Sequence, residues 1–221
     1  LGSGASFEQT DRETAQVMAR SVREAGVGRL VYLGGLEPRD EQLSPHLRSR
    51  AEVAEILLGS GVPTAVLRAA VVLGSGSASF EMLRYLTERL PVMVTPRWVN
   101  NKIQPIAVRD VLRRLIEAAS LPPEVNRGFD IAGPDVLTYA DMMQRYARVA
   151  GLPRRRLLPV RVLTPWLSGH WVGLITPVPN AIARPLVESL IHDAVAHEND
   201  IARFTAPWEP TPFDEAVLAE R

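Results

Sequence analysis

The chain has 221 residues, 25 Lys+Arg against 25 Asp+Glu, 46% hydrophobic and 23% charged residues, and no cysteine. This is the composition of an ordinary globular protein of one domain with at most a small appendage. The balanced charge excludes electrostatic capture of nucleic acid as the main activity. The missing cysteines exclude disulfides, thiolate nucleophiles and Cys-ligated metals, and agree with a reducing, cytoplasmic setting.

In chain order, Thr10-Asp11-Arg12-Glu13 reads as a capping box. Behind it Ala15, Met18, Ala19, Val22 and Ala25 recur at helical spacing, and Gly26 stands where a left-handed terminal glycine belongs. Leu30-Val31-Tyr32-Leu33, closed by Gly34-Gly35, reads as a buried strand. A polar loop through Pro38 and Asp40 precedes a helix from about His46 to Ser60. Gly61-Val62-Pro63 breaks that helix, and Thr64 to Arg68 is the next strand. Further on, Ser79 to Arg89 reads as a helix. Lys102 to Pro105 leads into another, whose expected core face is Val108, Val111, Leu112, Leu115, Ile116 and Ala119. Phe129 to Ala132 reads as a strand, and Thr138-Tyr139-Ala140-Asp141 caps a helix ending near Gly151. Met142, Met143, Tyr139 and Tyr146 have core spacing on it. Strand, crossover helix and strand repeat as in a parallel sheet.

Five segments keep a familiar order and spacing. They are the run from Ala25 to Gly35, the helix from His46 to Leu58, Gly61 to Arg68, Gln104 to Val111, and Phe129 to Pro134 with its capped helix. Over roughly Thr10 to Ala150 the chain resembles the extended and atypical short-chain dehydrogenase/reductase superfamily, in its epimerase-like and NmrA-like NAD(P)-binding branch. The resemblance implies an α/β fold: a Rossmann-like parallel sheet with helices on both faces, lacking its first strands, plus a small helical C-terminal region. Residues 1–150 would form the truncated NAD(P)-binding domain, and 151–221 a mostly helical region on the substrate side.

The opening run from Leu1 to Ser6 is loop-like, with no leader, so a start inside a longer reading frame is expected. By the resemblance, the missing part holds the glycine-rich turn that places pyrophosphate on a helix N-terminus. Gly2 and Gly4 follow no strand and do not replace it. The fragment should therefore bind a dinucleotide weakly. NAD or NADP is the implied cofactor; the residue that reads the 2′-position would lie upstream.

Reductases of this superfamily use a Tyr-x-x-x-Lys pair and a Ser or Thr at the end of the preceding strand. The matching positions here are His46, Arg50 and Gly34-Gly35, so every member is changed. His46 is the candidate catalytic group, since imidazole exchanges protons near neutral pH. Arg50, one turn on, would lower its pKa and contact ribose or phosphate; otherwise both are surface residues.

The resemblance places Leu33, Gly34, Gly35, Arg68, Ala69, Ala70 and Val71 beside the nicotinamide half of the cofactor. The residues alone allow a second reading, a tight turn at the glycines and a structural ion pair at Arg68. Asp110 matches a family position but reads as a first-turn carboxylate stabilising its helix. Gly74-Ser75-Gly76-Ser77 is a flexible loop or an anion-binding turn. No metal site is expected.

Val162 to Ala183 has no charged residue but holds Trp166, Trp171, His170 and three prolines, with Arg154, Arg155, Arg156 and Arg161 before it and Arg184 after it. It reads as a core segment or substrate-side lid, with an interfacial helix at a membrane surface as the alternative. Two functions remain: an NAD(P)-binding oxidoreductase of a small apolar substrate, or a non-catalytic NAD(P)H-binding sensor or assembly factor. The expected partner is a small molecule, not a nucleic acid, and no sequence feature fixes an oligomeric state.

Overall fold

The computed structural model describes residues 4–37, 44–159, 176–179, 182, 186–187 and 190–220. In chain order the elements are α1 (Gly4–Glu24), β1 (Leu30–Gly35), α2 (Pro45–Leu58), β2 (Thr64–Ala69), β3 (Val72–Leu73), α3 (Ala78–Arg89), β4 (Val92–Thr95), β5 (Lys102–Ile103), β6 (Ile106–Ala107), α4 (Val108–Ala119), β7 (Arg127–Asp130), β8 (Leu137–Thr138), α5 (Tyr139–Val149), β9 (Arg156–Pro159) and α6 (Phe213–Ala219). The chain divides into two compact units.

The first unit comprises Leu1–Ala69, Val111–Ile131 and Ala196–Trp208. Its sheet has three parallel strands in the order β1-β2-β7, with Leu30 to Gly35 in register with Thr64 to Ala69 and Arg68 opposite Asp130. The central strand β2 is apolar on both faces, as a doubly covered parallel strand must be, and Ala65, Val66 and Leu67 are buried. β1 is an edge strand among the described residues and only half-buried, not the buried strand its composition suggests, with Leu33 exposed. The third strand lies two residues earlier than the Phe129-to-Ala132 run suggests, because Arg127 and Gly128 already pair with Ala65 and Val66.

Helix α1 starts at Gly4, so Thr10 is an interior residue whose carbonyl accepts the Thr14 hydroxyl at 2.7 Å rather than a cap. Its terminal glycine is as expected: Gly26 adopts φ +65°, and the Val27 N–H reaches back to the Val22 carbonyl at 3.0 Å. Ala15 and Val22 are buried with Ala19 beside them, but Met18 is exposed. In α4 the buried positions are Asp110, Val111, Arg114 and Ala118, while Leu112 and Ile116 face solvent. Arg114 takes the inner face because Glu117, Thr205 and the Trp208 ring receive its guanidinium.

The second unit comprises Ala70–Asp110, Ala132–Val195 and Glu209–Arg221. An apolar cluster organises it, with Phe80, Leu83, Met93, Ile103, Tyr139, Met142, Met143, Tyr146 and Phe213 buried together. The core spacing read on α5 is thus correct. The capping box at Thr138 and Asp141 is present, and Gly151 is left-handed at φ +66°. Strand pairs are short: β3 with β6 and β4 with β9 in parallel, β5 with β8 antiparallel. The Lys102-to-Pro105 stretch that the sequence suggests as a lead-in to helix holds β5, and β6 follows it directly.

Gly133 closes this region. Its N–H donates to the Pro105 carbonyl at 2.9 Å, and a Cβ there would stand 2.4 Å from the same oxygen. Asp110 is buried, but its partners are not helix N–H groups: Oδ2 accepts the Thr211 N–H at 2.7 Å and Oδ1 its hydroxyl at 3.0 Å. The Gly74-to-Ser77 turn does gather carboxylates, with the Ser75 N–H on Glu220 at 2.7 Å and the Gly76 N–H on Glu81 at 3.3 Å.

Candidate functional site

Open α/β sheets bind ligands beyond the carboxyl ends of their parallel strands. In the first unit that edge is formed by Gly34, Gly35, Arg68, Ala69 and Asp130. Gly34 and Gly35 are strand residues in register with Arg68 and Ala69, and neither has positive φ, so they do not form a turn. Their missing side chains have a packing reason. A Cβ on Gly35 would lie 3.0 Å from Leu47 Cδ2, and one on Gly34 would lie 3.2 Å from the Tyr32 ring. Glycine thus lets the first turn of α2 close onto the end of β1. Leu36 continues the ladder by donating to the Ala69 carbonyl at 3.0 Å.

Ser44 caps α2 by accepting the Leu47 N–H at 3.3 Å, and Pro45 supplies the first helical position. His46 is therefore a first-turn residue. It is half-buried, and burial, reinforced by Arg50 and opposed by Asp11, lowers its pKa below the ordinary histidine value. The sequence points to Arg50 as the cause, but desolvation is the larger one. The imidazole is accordingly neutral at pH 7. Arg50 lies 3.8 Å from Asp11 on α1, and the same carboxylate accepts the buried Ser49 hydroxyl at 2.9 Å. Asp11 thus anchors the His46–Arg50 face of α2, although no local sequence signal marks it.

Arg68 is held by Asp130, with Nε and Nη2 each 2.8 Å from Oδ1. The guanidinium lies flat over β7, where Gly128 leaves room; a Cβ there would be 3.3 Å from Cζ. The other Asp130 oxygen accepts the His197 N–H at 2.9 Å, and the Asp130 N–H donates to Glu198 at 2.6 Å. His197 Nε2 is 3.2 Å from the Glu37 carbonyl oxygen beyond β1. Glu198 also accepts the Asp200 N–H, and Arg127 pairs with Asp200 at 3.1 Å. A segment from the far end of the sequence is thereby fastened over the carboxyl edge of the sheet. Sequence reasoning missed His197 and Glu198; the one available signal was the polar Asp130 inside an apolar strand.

Ala70 and Val71 belong to the second unit, where Val71 is buried and its carbonyl accepts the Ile106 N–H at 2.9 Å. Most of the uncharged stretch from Val162 to Ala183 lies outside the described residues. Among those that are described, no group of three or more His, Asp or Glu is placed to hold a metal, and no helix is long and apolar enough to cross a membrane.

No family model matches the sequence, and no curated protein matches it closely. Solved structures do match in fold. Triphenylmethane reductase of Citrobacter sp., complexed with NADP(H), superposes with a TM-score of 0.69 at 15% identity, over 94% of this chain and 70% of that one. UDP-glucose 4-epimerase of Thermotoga maritima, with UDP-glucose, gives 0.68 at 15% identity, over 98% and 70%. The Bordetella bronchiseptica enzyme WbmH, with NAD+, gives 0.63 at 14% identity, over 93% and 65%. The chain spans about two thirds of the length of these structures. It has the Rossmann-like α/β fold that these structures share.

Proposed function

We propose that this chain is part of an NAD(P)-binding oxidoreductase of the atypical short-chain dehydrogenase/reductase type, acting on a small apolar substrate. The observation that carries this reading is the parallel β1-β2-β7 sheet, with side-chain-free Gly34-Gly35 at its carboxyl edge, in a fold that NAD+- and NADP-bound structures share. The nicotinamide, when bound, supplies or takes the hydride. The backbone from Leu33 to Gly35 and at Ala69 forms the carboxyl edge along which it would lie. The fit is by backbone, because the space beside Gly35 is already taken by Leu47 and the Arg68 guanidinium by Asp130. Arg68 then contributes by locking β2 to β7. His46, neutral near pH 7, is the proton-handling group, and Arg50, steadied by Asp11, is the cation beside it.

In the full-length gene product we expect oxidation of NADPH or NADH with a carbonyl or quinone-like compound. We expect His46→Ala to lower turnover while cofactor binding, followed by nicotinamide fluorescence, persists. Unchanged turnover in that variant removes His46 from the chemistry, and absence of any cofactor binding removes the whole reading. The second reading is a non-catalytic NAD(P)H sensor or assembly factor. The presence of Gly34-Gly35, His46 and Arg50 where reductases carry Ser, Tyr and Lys favours it. It requires cofactor binding without turnover and a partner recovered by pull-down; a robust steady-state rate on any substrate sinks it.

A further inference from the structure

The β4–β9 pair in the second unit has one face packed inward and one turned out. Met93 and Thr95 are buried, whereas Val92 and Val94 are 48% and 45% exposed. On the partner strand Leu157 is half-buried and packs against the core, while Arg156 and Leu158 point outward, Leu158 being 51% exposed. The parallel register sets Val92 beside Arg156 and Val94 beside Leu158, so the outward side chains form one continuous patch. The same alternation runs back along the chain, with Arg155 buried and Arg154 exposed. Arg154 and Arg156 have no carboxylate partner among the described residues. Arg89, exposed at the end of α3, lies three residues before Val92.

Exposed apolar side chains rimmed by cations are poor protein surface but a good fit to a bilayer interface. There the apolar groups reach the acyl boundary and the guanidiniums meet lipid phosphates. The sequence beyond β9 has the same character: after Arg161 come 22 residues, Val162 to Ala183, with no charged side chain and two tryptophans. We propose that the outward face of the β4–β9 pair, Val92, Val94 and Leu158 with Arg154 and Arg156, is a peripheral contact for a membrane surface rich in anionic phospholipid. This is independent of the cofactor reading, which concerns the other unit.

The test is flotation of the intact protein with phosphatidylcholine vesicles, with and without phosphatidylglycerol. Co-flotation with the anionic vesicles alone is expected. It should fall at least tenfold when salt is raised to about 1 M, where the Debye length is about 3 Å. Val94→Glu with Leu158→Glu, or Arg154→Glu with Arg156→Glu, should each abolish it. These side chains are exposed, so the variants should keep the parent circular dichroism. Ile116→Glu, which charges an exposed apolar position of the first unit, should change nothing. Equal binding to neutral vesicles, binding that survives both double variants, or no binding at all overturns the proposal. So does a concentration-dependent self-association, or retention of a DNA duplex in place of vesicles, that the same double variants remove.

Discussion

The two units reach a folded state by different means. The first is held by backbone register and by charges placed under or beside the sheet: six paired positions between β1 and β2, then Arg68 on Asp130. The apolar cluster between α1 and α2 is small, built on Ala15, Val53 and Leu57. In the second unit, β3, β5, β6 and β8 are each two residues long. Its order comes from interlocked aromatic and methionine side chains around Phe80 and Tyr146, whose rings meet edge-on at 6.2 Å. Part-buried ion pairs, as with Arg145 between Asp135 and Asp214, flank that cluster. A unit that relies on a few directional contacts should fail at single polar atoms; one that relies on packing should fail by volume.

The largest expected effect is therefore a cavity in the second unit. Phe80→Ala should cost about 4 kcal/mol by urea denaturation, the range for a buried aromatic truncated to Ala. Next comes the charge in the first unit: Asp130→Ala strands the partly buried Arg68 guanidinium and the His197 N–H, and should cost about 3 kcal/mol. By contrast Asp214→Ala, at the edge of the second unit, should cost under about 1 kcal/mol. If Asp214→Ala proves as damaging as Asp130→Ala, the contrast between the units is wrong. Thr138→Ala removes a capping box and should cost about 1 kcal/mol.

The smallest effect is in pH dependence. Burial and Arg50 lower the His46 pKa, so the unfolded chain takes up that proton more readily. The stability His46 supports is complete above its unfolded value of about 6.5 and drains away as pH falls from there through the folded one. In the second unit Asp135 behaves likewise at lower pH. Burial would raise its pKa, but the Phe213 N–H and Arg145 together outweigh burial and lower it. Its contribution is present above about 3.9 and lost only below that. Residue-resolved hydrogen exchange should thus show the first unit loosening before the second on acidification. His46→Ala should remove the early step; simultaneous loosening in the parent protein would break the comparison.

Legibility in the sequence follows the same divide. The apolar runs of β1 and β2 and the caps of α5 are local signals, and the structure puts elements there. Two-residue strands carry no periodicity, so β3, β5, β6 and β8 left no trace. The β4 sequence Val-Met-Val-Thr has no polar alternation to mark its exposed face. On α4 apolar spacing misleads, since the pocket for Arg114 is made by Thr205 and Trp208, about ninety residues away. At the candidate site, residue types were readable at Gly34, Gly35, His46, Arg50 and Arg68. Their settings were not, because Asp11, Asp130, His197 and Glu198 come from separate parts of the chain.

One consequence of the Gly133 geometry concerns how this sequence can drift. With the Pro105 oxygen 2.4 Å from where any Cβ must stand, no rotamer of a neighbour relieves the overlap, since the opposing atom is main chain. The Gln104 side chain adds a bond to the Gly133 carbonyl at 2.8 Å, so the two segments are fixed from both sides. Across orthologues, position 133 should stay glycine even where His46 and Arg50 vary freely. An orthologue with a larger residue there should carry a compensating insertion or deletion near Pro105. Ancestral reconstruction would then date that backbone crossing independently of any catalytic residue.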